Sequence, residues 1–181
     1  MIDTREKLKK CLEKEKLIYF PTGGIRLPFG IREKDILYSY IYYLRKTEYY
    51  YNTGHKFIYS IYKILLQRLG NRYSMHIGIN VCDEGLSISH VGPIIINGRT
   101  RIGKNLRINV GVNIGANGGN LPVFGNDVYI GPGAKVFGDI YIANGCRIGA
   151  NAVVNKSCNI EKSTLLGVPA CAYNNGENED N

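Results

Sequence analysis

Three histidines, His55, His76 and His90, are the side chains of this sequence best suited to proton transfer near neutral pH. A neutral imidazole can accept the proton of a hydroxyl group while the hydroxyl oxygen attacks a substrate. His55 lies within a helical pattern, whereas His76 and His90 lie beside the start of a repeated pattern. The residue types alone therefore supply a general base and leave open which histidine it is.

The repeated pattern places a large apolar residue at every sixth position. Its members are Ile96, Ile102, Ile108, Ile114, Phe124, Ile130, Val136, Ile142, Ile148, Val154, Ile160 and Leu166. A helix repeats at about 3.6 residues and a strand at 2, so neither alone produces a strict six. A short strand followed by a corner does, and a fixed period of this kind is typical of a hexapeptide β-helix. We therefore predict that these residues point into a solenoid core, with small residues such as Cys146 and Cys158 packed between them.

The repeat is interrupted once, where Ile114 and Phe124 are ten positions apart instead of six. The intervening residues are rich in Gly, Asn and Pro, which is typical of an exposed loop. Insertions in repeat proteins often carry function. We predict an exposed loop with a functional role, formed by Asn117, Gly118, Gly119 and Asn120.

The first 73 residues differ in character from the rest of the chain. They hold 15 Lys and Arg against 7 Asp and Glu, and 11 of the 14 tyrosines. Apolar spacing predicts helices over residues 3–16, 33–49 and 55–69, with Phe57, Ile61 and Ile64 of the third facing inward and Gly70 ending it. The predicted division is a helical module over 1–73, a β-helix over 74–172 and a disordered acidic tail over 173–181.

The charge excess of the helical module allows several partners. A basic surface can meet nucleic acid, an anionic membrane or an acidic glycan, or it can be a solvated face without a partner. No base-reading motif is present, so we expect no nucleic acid partner, and peripheral membrane contact stays open. No apolar run is long enough to span a bilayer. Five cysteines without a CxxC pair, and a charged N-terminus unlike a signal peptide, favour the cytoplasm.

Two segments of the repeat, and the short segment that ends it, resemble the hexapeptide-repeat acyltransferases. They are Gly131-Pro132-Gly133-Ala134-Lys135-Val136-Phe137-Gly138-Asp139-Ile140, then Ile148-Gly149-Ala150-Asn151-Ala152-Val153-Val154-Asn155-Lys156, and the ending Leu166-Gly167-Val168-Pro169-Ala170. The likeness is to the serine O-acetyltransferase-like branch. Within it, Leu44-Arg45-Lys46-Thr47-Glu48-Tyr49-Tyr50 is similar to the members found with bacterial capsule and polysaccharide genes.

This resemblance implies a left-handed parallel β-helix, a homotrimer, and acetyl-CoA bound between neighbouring subunits without a metal. His90, in Ser87-Ile88-Ser89-His90-Val91-Gly92, matches the segment that carries a catalytic histidine in serine acetyltransferases. Asn80 stands where those enzymes have an aspartate that orients the base. The resemblance places Pro132 and Ala150 along the coenzyme and Asn155 and Lys156 near its adenosine phosphate, with Lys135 as a second candidate cation.

The sequence also departs from the serine acetyltransferases. The residue before His90 is Ser89 rather than an acid, and the loop lacks their second histidine. We therefore expect an O-acetyltransferase acting on a sugar or polysaccharide precursor. The loop that contains Asn117, Gly118, Gly119 and Asn120 is expected to close over this acceptor, and a backbone N–H of the loop to stabilise the oxyanion. A serine O-acetyltransferase and a non-catalytic scaffold are the alternatives. A zinc-dependent carbonic anhydrase on this fold needs three histidine ligands, and only His76 and His90 lie near the repeat.

Overall fold

A computed structural model describes residues 1–23 and 32–173, so the predicted tail from residue 174 onward and part of the turn after the first helix lie outside the described residues. Among these described residues three helices come first: α1 (Arg5–Tyr19), α2 (Glu33–Asn52) and α3 (Lys56–Tyr73). Fourteen strands follow within the same ranges: β1 (Met75–Ile77), β2 (Ser87–Ile88), β3 (Ile94–Ile96), β4 (Arg101–Ile102), β5 (Arg107–Ile108), β6 (Asn113–Gly115), β7 (Val123–Phe124), β8 (Tyr129–Ile130), β9 (Lys135–Phe137), β10 (Tyr141–Ile142), β11 (Arg147–Ile148), β12 (Val153–Val154), β13 (Thr164–Gly167) and β14 (Ala170–Tyr173).

The strands form three sheets that are the walls of one solenoid. Sheet I has the order β1-β3-β6-β9-β12, sheet II has β10-β7-β4, and sheet III has β14-β13-β11-β8-β5-β2. Bridges from Cys82 to Ile102 and from Ile142 to Cys158 extend sheet II by one coil at each end. All pairings between the named strands are parallel except the closing hairpin of β13 and β14. The chain therefore winds through sheets I, II and III in turn, which confirms the predicted solenoid.

The core is a stack of inward side chains from each wall. Ile102, Ile108, Ile114, Phe124, Ile130, Val136, Ile142, Ile148 and Val154 are all buried, as the six-residue spacing predicts. The predicted small partner Cys146 is buried between them, with its sulfur atom 3.9 Å from that of the buried Cys158. Each fully buried Ile or Val side chain stabilises the fold by about 1.5–3 kcal/mol relative to its exposed state.

The prediction is wrong for the last coil. Ile160 and Leu166 are 58% and 46% exposed, and the inward positions are taken by Cys158 and Leu165. The cause is a shorter corner after Val154, because the chain reaches sheet II four residues later instead of six. Leu165 pairs with Ile148 in sheet III, so the register of the final coil has shifted by one position.

The third helix differs from its prediction in length and in orientation. It runs through Gly70 to Tyr73 and ends where Ser74 takes a left-handed conformation with φ 57°. Gly70 instead allows close approach, because a Cβ there would lie 2.5 Å from the carbonyl oxygen of Met75. Phe57, Ile61 and Ile64, predicted to face inward, are exposed.

Tyrosines take the place of those apolar residues between α2 and α3. Tyr62 stacks on Tyr50 with ring centroids 5.4 Å apart and lies edge-on to Tyr42 at 6.5 Å. Leu66 and Gly70 are the buried residues of α3. The inward side of α3 is thus the one that carries Tyr62, Leu66 and Gly70, and the isoleucine side faces away.

The helices cover the open edge of the first coil, whose strands have no preceding coil to pair with. The N–H of Ile77 donates to the hydroxyl of Tyr40 at 2.9 Å. The N–H of Ile88 donates to the hydroxyl of Tyr19 at 2.8 Å, and this hydroxyl donates to the Ile88 carbonyl at 3.0 Å. Side chains therefore satisfy backbone groups that an exposed edge would leave open to another chain.

A buried ionic cluster completes this cap. The Arg45 guanidinium donates to the carboxylates of Glu15 and Glu48 and to the carbonyls of Cys82 and Asp83, at 2.7–3.2 Å. The three charged side chains are at most 2% exposed. Glu15 also accepts the backbone N–H groups of residues 85 and 86, and Glu48 accepts that of residue 80. The cluster fixes α1 and α2 on the first coil, at the edge where β2 leads to His90.

Candidate active site

His90 lies at the corner where the chain leaves sheet III for sheet I. Its side chain is 65% exposed. The ladder of sheet III holds the segment before it, because the Ser89 N–H donates to the Ile108 carbonyl at 3.0 Å. The turn after it stacks on the next coil, where the Gly111 N–H donates to the Pro93 carbonyl. A regular backbone thus presents an exposed imidazole at the head of one corner.

The partner of His90 is Glu33, the first residue of α2. One carboxylate oxygen of Glu33 accepts the Val91 N–H at 2.8 Å, and the other lies 3.4 Å from Nδ1 of His90. A carboxylate at Nδ1 favours the tautomer in which that nitrogen carries the proton. Nε2 is then the ring nitrogen that can accept a proton from a substrate.

Asn80, predicted to orient the base, has a different role. Its side-chain amide exchanges two hydrogen bonds with that of Asn52, each 2.9 Å long, and its N–H donates to Glu48. It lies at the corner between sheets I and II, where its φ is 57°. The side chain beside the His90 ring is therefore Glu33, and Asn80 does not contact it. Glu33 had no sequence signal, because it is 57 positions away and belongs to no repeat.

The other two histidines lack such a partner. Nδ1 of His55 lies 2.9 Å from the hydroxyl of Thr53, and its ring packs against Tyr50. His76 is exposed on the outer face of sheet I, opposite Ile95. Within residues 1–23 and 32–173, which include all three histidines, His90 is the one with a carboxylate contact.

The predicted coenzyme residues fall into two groups. Pro132 and Ala150 are exposed in the same corner as His90, in the coils stacked beyond it. The coils are joined there by hydrogen bonds from Gly133 N–H to the Val110 carbonyl and from Asn151 N–H to the Pro132 carbonyl, both 2.8 Å. This corner therefore forms a straight column of backbone that starts at His90.

Asn155 and Lys156 belong to the other group, at the corner between sheets I and II. Both are exposed, directly after β12. Lys135 lies nearer to the column of His90, because its ammonium group donates to the Gly111 carbonyl. In a single chain the candidate phosphate contacts are thus divided between two corners.

The predicted acceptor loop also lies at the corner between sheets I and II. It is a tight hairpin in which the Asn117 N–H donates to the Asn120 carbonyl at 3.2 Å, and Gly118 and Gly119 have φ of 64° and 93°. The guanidinium of Arg99 donates to the Gly119 carbonyl at 3.3 Å. The segment is a loop, as predicted, but sheet I separates it from His90 in the same chain. Counting three strands per coil would have shown this, because each corner recurs about every 18 residues.

A cavity of about 550 Å³ lies away from His90, between α1 and the first coils. Its charged lining includes Lys7, Lys10, Glu84, Arg101 and Lys104. Glu84 lies 3.3 Å from Lys104 and 3.6 Å from Lys14. Partial burial opposes the effect of these two cations, which together lower the pKa of Glu84. None of the three histidines, all of which lie in the described residues, lines this cavity.

Comparison with known proteins agrees with this architecture. Residues 122–156 match the family model described as bacterial transferase hexapeptide (six repeats). Serine acetyltransferase from Brucella abortus strain S19 is 21% identical with a TM-score of 0.74, over 93% of this chain and 70% of that one. The Neisseria gonorrhoeae serine acetyltransferase is 22% identical with a TM-score of 0.72, over 94% of this chain and 68% of that one. A serine acetyltransferase in complex with CoA is 22% identical with a TM-score of 0.72, over 93% of this chain and 71% of that one. No curated protein matches the chain.

At this level of identity the likeness establishes the fold. The chain is a left-handed β-helix of hexapeptide repeats preceded by three helices, as predicted.

Proposed function

We propose that this protein is an acetyl-CoA-dependent O-acetyltransferase in which His90 is the general base. The observation that carries the proposal is the pairing of His90 with Glu33 at the head of an exposed backbone column. The fold supports it, because solved structures of the same fold include serine acetyltransferases with CoA, with cysteine and with serine.

In the proposed reaction the hydroxyl oxygen of the acceptor attacks the carbonyl carbon of the thioester. Its proton passes to Nε2 of His90, and Glu33 stabilises the imidazolium that forms. The carbon–sulfur bond then breaks, and the imidazolium returns the proton to the departing CoA sulfur. The products are free CoA and an acetyl ester, so atoms and charge balance without a metal or an oxidant.

The site is proposed to lie between copies of the chain. His90, Pro132 and Ala150 lie on one corner, whereas the loop, Asn155 and Lys156 lie on the other. In a ring of three identical copies each chain can offer one corner to each neighbour, so every interface holds both sets. This arrangement also brings a loop N–H near the base as the oxyanion donor.

L-Serine is the acceptor that the observations favour. Serine acetyltransferases have acidic residues where this chain has Ser89 and Asn80, which argues against serine. Glu33 supplies a negative charge beside His90 in their place. A serine carboxylate would also need a cation, and the guanidinium of Arg99 lies beside the loop. A hydroxyl of a sugar or polysaccharide precursor is the second candidate, supported by the amide side chains of Asn117 and Asn120, which can hydrogen-bond to sugar hydroxyls.

Release of the CoA thiol from acetyl-CoA tests the proposal directly. The purified chain is offered L-serine, L-alanine as the control without a hydroxyl, and a panel of sugars, and the acetylated product is identified by mass. Cys171, the exposed thiol among the five cysteines, gives a constant background. L-Serine should accelerate release and L-alanine should not. If neither L-serine nor any sugar accelerated release of the thiol, both proposed acceptors would be wrong.

Arg99→Gln separates the two acceptors. If Arg99 binds the carboxylate of serine, this variant raises KM for L-serine by roughly tenfold or more and leaves KM for acetyl-CoA unchanged. Lys162→Gln, which changes a cation at a different corner, is the matched control. An unchanged KM for L-serine in Arg99→Gln would remove this support for serine.

A further inference from the structure

The side of α3 that faces away from the protein carries a row of exposed apolar side chains. Phe57 is 80% exposed, Ile61 43% and Ile64 56%. They are four and three positions apart, so they share one face of the helix. The opposite face, with Tyr62 and Leu66, packs on α2. The row is therefore the apolar side of an amphipathic helix, and it has no partner among residues 1–23 and 32–173.

Positive charge lies within and beside this row. The chain has no Asp or Glu between Glu48 and Asp83, and α3 carries Lys56, Lys63, Arg68 and Arg72. At 100° per residue Arg68 lies within the apolar row and Arg72 borders it, whereas Lys56 and Lys63 lie roughly 80–100° from Ile64, at the edge of the exposed side. None of these four cations forms an ion pair with any residue in the described ranges. Lys63 instead lies 5.4 Å from the ring centroid of Tyr59.

We propose that α3 binds the surface of an anionic lipid bilayer. Phe57, Ile61 and Ile64 enter the boundary between headgroups and acyl chains, and the basic side chains lie against lipid phosphates. An apolar row with a cationic border on a helix that is not strongly hydrophobic overall is the pattern of a helix lying in the membrane plane. None of the helices among the described residues is long and apolar enough to cross a membrane.

Charge decides between a lipid surface and a second copy of the chain. Two α3 helices packed through this row would bring eight cations together without one acidic side chain from either helix, and like charges in contact oppose association. An anionic lipid surface offers the opposite charge. The exposed row and the charge of α3 do not depend on the proposed acetyl transfer.

Vesicle sedimentation of the full chain tests the proposal. The vesicles are phosphatidylcholine alone, or equal parts of phosphatidylcholine and phosphatidylglycerol. We expect binding to the anionic vesicles that weakens with salt. Phe57→Ser with Ile64→Ser should lower the partition coefficient by about tenfold or more. Arg68→Gln with Arg72→Gln should lower it by about 30-fold on anionic vesicles, because each cation near the surface contributes about 1 kcal/mol.

The matched control changes exposed apolar residues of the β-helix. Ile160→Ser with Val168→Ser removes side chains that are 58% and 72% exposed and should leave sedimentation unchanged. Circular dichroism and thermal unfolding verify that each variant is folded. Failure of the wild type to sediment with anionic vesicles would overturn the proposal, and so would sedimentation unaffected by the α3 variants. A wild-type assembly that Phe57→Ser with Ile64→Ser breaks apart would show that the row binds a second copy instead.

Discussion

The carboxylate of Glu33 lies 3.4 Å from Nδ1 of His90, although the two residues are 57 positions apart. The same carboxylate accepts the Val91 N–H at 2.8 Å, which holds it beside the ring. One side chain from the start of α2 thus contacts both the backbone and the imidazole of the corner. The helical module therefore contributes directly to the candidate site on the β-helix.

The first prediction concerns Glu33. Glu33→Gln keeps an oxygen that can accept the Val91 N–H but removes the charge that stabilises an imidazolium. We expect kcat for acetyl transfer to fall by roughly tenfold, with little change in KM for acetyl-CoA. Glu13→Gln, an exposed change on α1, is the control. A rise in KM with kcat preserved would show that Glu33 shapes binding rather than proton transfer.

The second prediction concerns the division of the site between two corners. His90→Ala inactivates one corner, and Lys156→Glu weakens the other by placing an acid where a coenzyme phosphate is expected. When the two variants are mixed under conditions that exchange subunits, about a quarter of the interfaces carry both intact corners. Activity should therefore rise above that of either variant. A mixture no more active than the mean of its components would place the whole site in one chain.

The third prediction concerns the buried cluster that joins the helices to the first coil. Arg45→Met leaves the carboxylates of Glu15 and Glu48 buried without their cation, and we expect the free energy of unfolding in urea to fall by about 3–5 kcal/mol. Lys9→Met, which removes a cation 3.9 Å from an exposed Glu13, should leave the urea midpoint unchanged. A similar small effect of Arg45→Met would mean that the cluster does not hold the cap.

The pH dependence of the Arg45 variant has a definite sign. Burial raises the pKa of Glu48 above its usual range even beside Arg45, whose charge opposes the rise. A carboxyl whose pKa is raised in the folded state contributes stability below its unfolded pKa, and this contribution is lost as pH rises through the folded pKa. Without Arg45 the pKa of the Glu48 carboxyl is raised further. The loss of unfolding free energy in Arg45→Met should therefore be smaller near about pH 5 than near pH 8.

The six-residue periodicity could predict which residues of the regular coils point inward, but not where the register shifts. Ile102 through Val154 point inward as the six-residue spacing predicts, because each such position recurs on the same wall. Ile160 and Leu166 do not, since the last corner is shorter and shifts the register. The Asn-Gly hairpin was predictable from its composition, and its position relative to His90 follows from the number of strands per coil.

The remaining differences arise from contacts between distant segments. Apolar spacing on α3 shows that Phe57, Ile61 and Ile64 share a face, but the pattern does not show whether that face meets protein. The α2 tyrosines pack on the Tyr62 side of α3 instead, so the isoleucines stay outside. Glu33 and His90 belong to different modules, and their pairing depends on how α2 is placed on the first coil.

The most direct test of the central claim compares wild type with His90→Ala in acetyl transfer and in CoA binding. We expect His90→Ala to lower kcat/KM for transfer to L-serine by about 10²–10⁴-fold, the usual contribution of a general base. CoA binding measured by calorimetry should stay within about twofold of wild type, because the base acts in the transition state. His55→Gln should transfer acetyl groups at the wild-type rate. Full activity in His90→Ala, with CoA binding intact, would contradict the account.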